Sequence, residues 1–297
     1  MTLTDVIGPG RRLLLIVGLQ KSGTTLLSRM LQQIDGVENP FKKEGDDFWG
    51  NKPPFVPSAF PAGEIYQRSG GALGHEIGAD LATDAVREEL LRRLASLEFR
   101  GPVILNKNPF NTVRVPWLRA LFPQSYIVAV VRRPVPNVFS LTKKYVPHEK
   151  RGRAPVDGWW GVKPPGWMNM VGDDKVRQCA LQWREVNTRL VRDRALIDEF
   201  VFYHELCEGP AGVVAGIVRG ATHRDLDAEP GFPQILCYDR EYRRGSRLRS
   251  KNRYFRERGG LTTPREEPME IGPLNQEEIE TIEEICAATW ARMECLR

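Results

Sequence analysis

The sequence predicts an α/β fold: a P-loop-containing three-layer sandwich, with a central, mainly parallel sheet carrying helices on both faces and residues 1–297 forming a single domain. Three observations predict it. Short continuous apolar runs, Leu13-Leu14-Leu15-Ile16-Val17 and Tyr126 to Val131 among them, read as strands buried on both faces of a parallel sheet. These runs alternate with segments of helical period. The first run passes through the glycine-framed stretch Gly18 to Thr25 into apolar residues at helical spacing, the strand–loop–helix order that cradles phosphate.

In chain order, the run Leu13–Val17 is the first strand, and Leu26, Leu27, Met30, Leu31 and Ile34 mark the helix after the loop. A second strand has room before Lys43. From Asp84 to Leu97, Val86, Leu90, Leu94 and Leu97 form one stripe, and Gly101-Pro102 stops that helix before the strand Val103-Ile104-Leu105. Tyr126 to Val131 is the next strand, and Arg132-Arg133-Pro134 opens a helix at its end. Between Val146 and Met170, prolines, glycines and three tryptophans crowd together without period, which predicts a long loop; such loops in compact domains are often lids or substrate elements. Val176 to Ile197 reads as a long helix and Phe200 to Tyr203 as a strand. The segment 275–296 is a signalled helix: Asn275 is the N-cap, Glu278 its capping-box partner and Leu274 with Ile279 a hydrophobic staple. Ile279, Ile282, Cys286, Thr289 and Met293 form its buried stripe.

Composition narrows the function classes. The formal charge of +5, from 43 basic and 38 acidic residues, does not demand nucleic acid. The five cysteines form no C-x-x-C pair or metal cluster, and their odd number fits reduced thiols and a cytosolic setting. The N-terminus carries no signal-peptide pattern, and no stretch approaches the roughly 20 apolar residues of a membrane span.

The loop Gly18-Leu19-Gln20-Lys21-Ser22-Gly23-Thr24-Thr25 differs from an NTPase loop in one respect. There the lysine follows the second glycine and reaches the β- and γ-phosphates; here Thr24 holds that position and Lys21 lies three residues earlier. The backbone cradle survives with its cation moved, which points to a phosphoanhydride other than ATP. Arg132 lies at a strand's carboxyl end, where open α/β sheets bind ligands, and its planar fork suits phosphate oxygens. Ser140, eight residues on, adds a hydroxyl from the same helix.

Together these residues resemble the cytosolic-type and Golgi-type sulfotransferase superfamily, enzymes that use 3′-phosphoadenosine 5′-phosphosulfate. Lys21-Ser22-Gly23-Thr24-Thr25 resembles the family's 5′-phosphosulfate loop, and Arg132 to Ser140 its 3′-phosphate element. Asn106-Lys107-Asn108-Pro109 is similar to the N-K-x-P segment of protein-tyrosine sulfotransferases and related bacterial enzymes, and Tyr203-His204-Glu205-Leu206 to the Y-E-x-L strand end of many members. The resemblance spans roughly Leu13 to Leu206. It implies in-line sulfuryl transfer without a metal, with Lys21 and Lys107 stabilising charge and Ser22, Gly23, Thr24 and Thr25 with Arg132 and Ser140 holding the nucleotide.

The acceptor's proton needs a base within hydrogen-bond reach. Lys43-Glu44-Gly45-Asp46-Asp47-Phe48-Trp49 resembles the K-E-x-x-F-F region of heparan-type enzymes, which makes Glu44 the expected base, with Asp46 and Asp47 close enough to replace it. The small-molecule branch uses a histidine, so His148 and His75 are the alternatives, whereas His204 and His223 read as structural. Trp159 and Trp160, with Trp167, are expected to wall an acceptor pocket beside His148. Trp183 and Gln182 read as helix packing.

Residues 240–260 hold the densest charge, nine basic residues in the nineteen from Arg240 to Arg258. By resemblance the segment closes over the 3′-phosphate through Arg243 and Arg244, with Lys251 or Arg253 as replacements; a solvated surface and a nucleic-acid surface are the other readings. The expected acceptor is a small molecule or secondary metabolite, bearing a hydroxyl or amine, with nucleic acid disfavoured. Two rivals remain open at this point: a P-loop kinase using Mg²⁺ and ATP, and a non-catalytic nucleotide or nucleic-acid binding protein.

Overall fold

The structure is a computed structural model describing residues 2–144, 158–223 and 274–296. Its centre is a five-stranded sheet, β1 Arg12–Val17, β2 Val37–Glu38, β3 Val103–Lys107, β4 Tyr126–Val131 and β5 Glu199–Phe202, in the order β2-β3-β1-β4-β5 with every pairing parallel. The helices over the described residues are α1 Leu3–Ile7, α2 Thr24–Leu31, α3 Asp46–Trp49, α4 Ala62–Arg68, α5 Asp84–Ala95, α6 Val115–Leu121, α7 Pro134–Thr142, α8 Lys175–Arg192, α9 Tyr203–Glu208, α10 Pro210–Thr222 and α11 Gln276–Glu294.

Strand alternation divides β1 between two cores. Leu14 and Ile16 point to one face and pack with Leu27, Met30 and Leu31 of α2 and Val214, Ile217 and Val218 of α10. Leu13, Leu15 and Val17 point to the other, where α3, α5 and α6 contribute Trp49, Leu90, Leu94, Trp117 and Leu118. A third cluster joins α7, α8 and α11 through Val138, Leu141, Trp183, Val186, Ile282 and Cys286. Strands covered on both faces need continuous apolar runs, and β1 and β4 supply them.

The chain order places the site. β1 is flanked by β3 on one side and β4 on the other, the register running Ile16↔Lys107 and Ile16↔Val128. Strand order reverses around β1, so the crevice past its carboxyl end is where an open α/β sheet takes a ligand. The segments after β1, β3 and β4 all open there.

Several expected elements shift. The second strand is two residues long, Val37–Glu38. The helix expected from Val176 to Ile197 ends at Arg192, and a 3₁₀ turn, Arg194–Leu196, continues the apolar pattern. The strand expected at Phe200–Tyr203 runs Glu199–Phe202, and Tyr203 instead starts α9, where the Phe202 amide N–H donates to Glu205 Oε2 at 3.2 Å. The C-terminal helix begins as expected: Asn275 Oδ1 accepts from the Glu278 amide at 2.9 Å, and Glu278 Oε2 from the Asn275 amide at 2.8 Å.

Candidate active site

After β1, the chain turns so tightly that glycine is required twice. At Gly18, φ is 143° and a Cβ would lie 2.5 Å from the Val130 carbonyl; at Gly23, φ is 110° and a Cβ would lie 2.6 Å from the Tyr203 ring. Lys21 itself adopts φ 71°, a left-handed conformation unusual for a residue with a Cβ. The loop is fixed from below: the Gly18 amide donates to Thr112 Oγ1 at 2.8 Å, and the Ser22 amide donates to the Leu19 carbonyl at 3.1 Å. Gly23 is the N-cap of α2 and no side chain caps it, so the first N–H groups of α2 face the crevice at the positive end of its dipole. Ser22 Oγ is buried without a hydrogen-bond partner. A tight glycine cradle, an uncapped helix start and a buried hydroxyl fit an anionic phosphate group.

Gly23→Ala therefore places a methyl against Tyr203 at a φ that alanine resists. The expected outcome is a loss of about 2–4 kcal/mol of folding stability, read by denaturant unfolding, together with weaker binding of a nucleotide bisphosphate.

From β4 comes the second cation. Arg132 is 7% exposed, its Nη1 donating at 3.3 Å to both Ser140 Oγ and the Lys21 carbonyl, while its guanidinium lies 4.4 Å from the Tyr203 ring centre. Arg132 precedes α7 rather than lying on it, and its guanidinium links Ser140 of that helix to the loop. Asn137 joins the same surface, donating from Nδ2 to the Gln20 carbonyl at 3.0 Å with its own Oδ1 buried and unpartnered.

The third contribution is from β3. Lys107, buried at the strand's end, makes an ion pair with Glu44, whose side chain is 41% exposed. Two residues expected to be catalytic therefore meet directly, although they lie 63 positions apart. Asp47 instead pairs with Lys52 at 3.9 Å. Asp46 is half-buried beside a cleft of about 370 Å³ that Lys52, Pro53, Pro54 and Phe60 also line, and burial raises its pKa.

His75, one alternative base, is spoken for. It is 2% exposed; its Nδ1 accepts from the Lys163 amide at 2.9 Å, and its own amide donates to the Lys163 carbonyl at 2.7 Å. Burial first, then the charges of Arg114 and Lys163, hold its pKa well below the usual histidine value. That bond assigns the ring proton to Nε2, so the ring is neutral and its lone pair already used. His204 lies in the first turn of α9 rather than at a strand end, and His223 caps α10 in a left-handed conformation with Arg12 at 3.2 Å.

Part of the tryptophan-rich segment is described. Trp159 is 2% exposed, donates to the Val162 carbonyl at 2.9 Å and meets the Trp167 ring edge-on at 5.8 Å, so it fills the interior where the sequence suggested a pocket wall. Trp167 is held by the Gly71 carbonyl at 2.8 Å. Trp160 keeps a partly exposed ring. Gln182 Nε2 donates to the Trp160 and Val162 carbonyls at 3.0 and 2.8 Å, Trp183 donates to the Arg132 carbonyl at 3.2 Å, and the Val162 amide donates to Gln20 Oε1 at 3.2 Å. The segment is thus pinned against both α8 and the phosphate-type loop. His148, Arg243 and Arg244, with the rest of the basic 240–260 segment, lie outside the described residues.

A protein-family comparison matches residues 14–221 to a model described as Sulfotransferase family. Among solved structures, a sulfotransferase from Alicyclobacillus acidocaldarius superposes with a TM-score of 0.52 at 17% identity, covering 96% of this chain and 95% of that one. Sulfotransferase STF9 from Mycobacterium avium gives 0.51 at 15% identity, covering 97% and 78%. No curated protein matches. At such identities the superpositions speak for the fold, and the family match carries the activity class.

Proposed function

We propose that this chain, which belongs to the sulfotransferase family, moves a sulfuryl group from 3′-phosphoadenosine 5′-phosphosulfate to the hydroxyl or amine of a small-molecule acceptor by in-line displacement. The observation that carries the reading is convergence: Lys21 after β1, Lys107 with Glu44 at the end of β3 and Arg132 with Ser140 after β4 all sit at the carboxyl edge of adjacent strands. The donor would supply the activated sulfate. Ser22, Gly23, Thr24 and Thr25 would hold its 5′-phosphate on backbone N–H groups and hydroxyls, and Arg132 with Ser140 its 3′-phosphate. Tyr203, stacked on Arg132, would hold that guanidinium in place.

Sulfuryl transfer proceeds through a loose transition state, so these residues act by position and charge rather than by covalent chemistry. Lys21 stabilises charge on the leaving oxygen, Lys107 the transferring group, and Glu44 takes the acceptor's proton. Trp160 offers an apolar face to the acceptor. Among the described residues, free thiols at Cys179, Cys286 and Cys295 support a reducing, cytosolic setting. The described residues contain no helix long and apolar enough to cross a membrane.

Calorimetry with adenosine 3′,5′-bisphosphate beside ATP and Mg²⁺ tests the donor. Binding of the bisphosphate is expected, and Arg132→Ala is expected to weaken it roughly 10- to 100-fold, the worth of about 1.5–3 kcal/mol for bonds to a charged group. Preferential binding of ATP with Mg²⁺ would return the loop to the kinase class.

A further inference from the structure

We infer that Asn106 and Asn108 form a two-point clamp on the backbone of Glu44 and are positioning residues for the base. The inference rests on Glu44 having that role. Asn106 Nδ2 donates to the Glu44 carbonyl at 3.3 Å and Asn108 Nδ2 donates to the same oxygen at 2.9 Å. Both carboxamides are buried, at 1% and 0% exposure.

Neither amide is free to flip. Asn106 Oδ1 accepts from the Trp49 indole N–H at 3.0 Å, and an indole can only donate. Asn108 Oδ1 accepts from the Phe110 amide at 2.9 Å as the cap of the turn Pro109–Val113, and an amide N–H likewise only donates. Each NH₂ must therefore face the Glu44 carbonyl, and together they occupy both of its lone pairs. Gly45 completes the fit: at φ 78° it passes so close that a Cβ would lie 2.9 Å from Asn106 Nδ2.

The consequence is mechanical. The three successive residues Asn106, Lys107 and Asn108 fix Glu44 twice through its backbone and once through its carboxylate. Glu44 sits in a turn between β2 and α3, an element with little regular structure to hold it. Its side chain is 41% exposed and by itself would sweep a wide arc. Clamping the carbonyl to β3 confines that arc to the crevice beside Lys107. A displacement of about 1 Å at a catalytic group can lower a rate about 100-fold, so the clamp's removal should be felt in turnover.

The test uses the full chain and water as acceptor. Water attacks the sulfur, the bond from sulfur to the bridging oxygen breaks, Glu44 takes water's proton, and sulfate and adenosine 3′,5′-bisphosphate leave; bisphosphate release is followed chromatographically. Asn108→Ala is expected to slow this release at saturating donor about 10- to 100-fold with the donor KM unchanged, and Asn106→Ala to slow it less, since its bond is longer. In a Glu44→Gln background, Asn108→Ala should have no further effect, because a clamp matters only if what it holds is in use. Crystal structures of the Asn108→Ala protein should show the Glu44–Lys107 contact opened. Equal slowing by Asn108→Ala in both backgrounds, or an unchanged Glu44–Lys107 contact with unchanged rate, would overturn the clamp. Full activity in Glu44→Gln alone would remove the reading beneath it instead.

Discussion

Lys21→Ala is expected to lower turnover by about 100- to 1000-fold while leaving the protein folded. A single preorganised donor at the site of developing charge is worth about 3–4 kcal/mol, which sets that range. The fold should tolerate the change. Lys21 is partly exposed, and the bond that it receives from Arg132 Nη1 is to its backbone carbonyl and survives loss of the side chain. Alanine keeps a Cβ at φ 71°, so the loop retains the same backbone strain. Lys21→Gly separates the two contributions: glycine accepts that φ without strain, so this variant should be as stable as the wild type or more so, and no more active than Lys21→Ala. Initial rates of bisphosphate release, beside denaturant unfolding of the three proteins, check both halves. An active Lys21→Gly protein would mean that the loop acts through its backbone cradle alone.

Much of this arrangement is legible in the sequence because it depends on local signals. The run Leu13–Val17 could hardly be anything but a doubly buried strand, and Gly18 and Gly23 mark positions where the backbone needs φ above zero. The capping box at Asn275 and Glu278 involves residues three apart, and it forms as read. Boundaries that depend on partners were less legible. Tyr203 carries strand propensity, but it starts a helix because Glu205 caps the Phe202 amide and the ring is needed against Arg132.

The long-range contacts were the least visible. An irregular segment rich in tryptophan looked like a pocket wall, yet Trp159 finds a carbonyl three residues away and Trp167 finds Gly71, so both rings go inside. Asn106 and Asn108 read as flanks of a lysine motif; that their amides converge on one carbonyl 62 and 64 residues distant follows only from the turn at Gly45. Their one sequence signal was position, two carboxamides either side of the lysine at a strand's end. Thr112 holding the Gly18 amide gave no signal beforehand.

Glu44→Gln is expected to reduce transfer by about 100- to 10,000-fold and to spare bisphosphate binding. Glutamine keeps the length of the side chain and an oxygen able to accept from Lys107 Nζ, so the contact between them persists as a hydrogen bond from the ammonium to a neutral carbonyl. What goes is the basicity of the carboxylate, which the proposed role needs to take the acceptor's proton, a contribution in the range usual for general-base catalysis. The charge removed lies on a side chain 41% exposed, but it faces the buried Lys107 ammonium, which loses its countercharge, so a stability loss of about 1–3 kcal/mol is expected, less than for a pair buried on both sides. The bisphosphate carries no transferring group, and the residues proposed to bind it, Arg132, Ser140 and the loop, are not touched by the substitution, so calorimetry should return the wild-type affinity. Glu44→Asp distinguishes charge from reach: it restores the carboxylate one methylene short of Lys107 and should recover only part of the rate. If Glu44→Gln instead lost bisphosphate binding together with turnover, the Glu44–Lys107 pair would belong to the donor site, with the proton passing to another group.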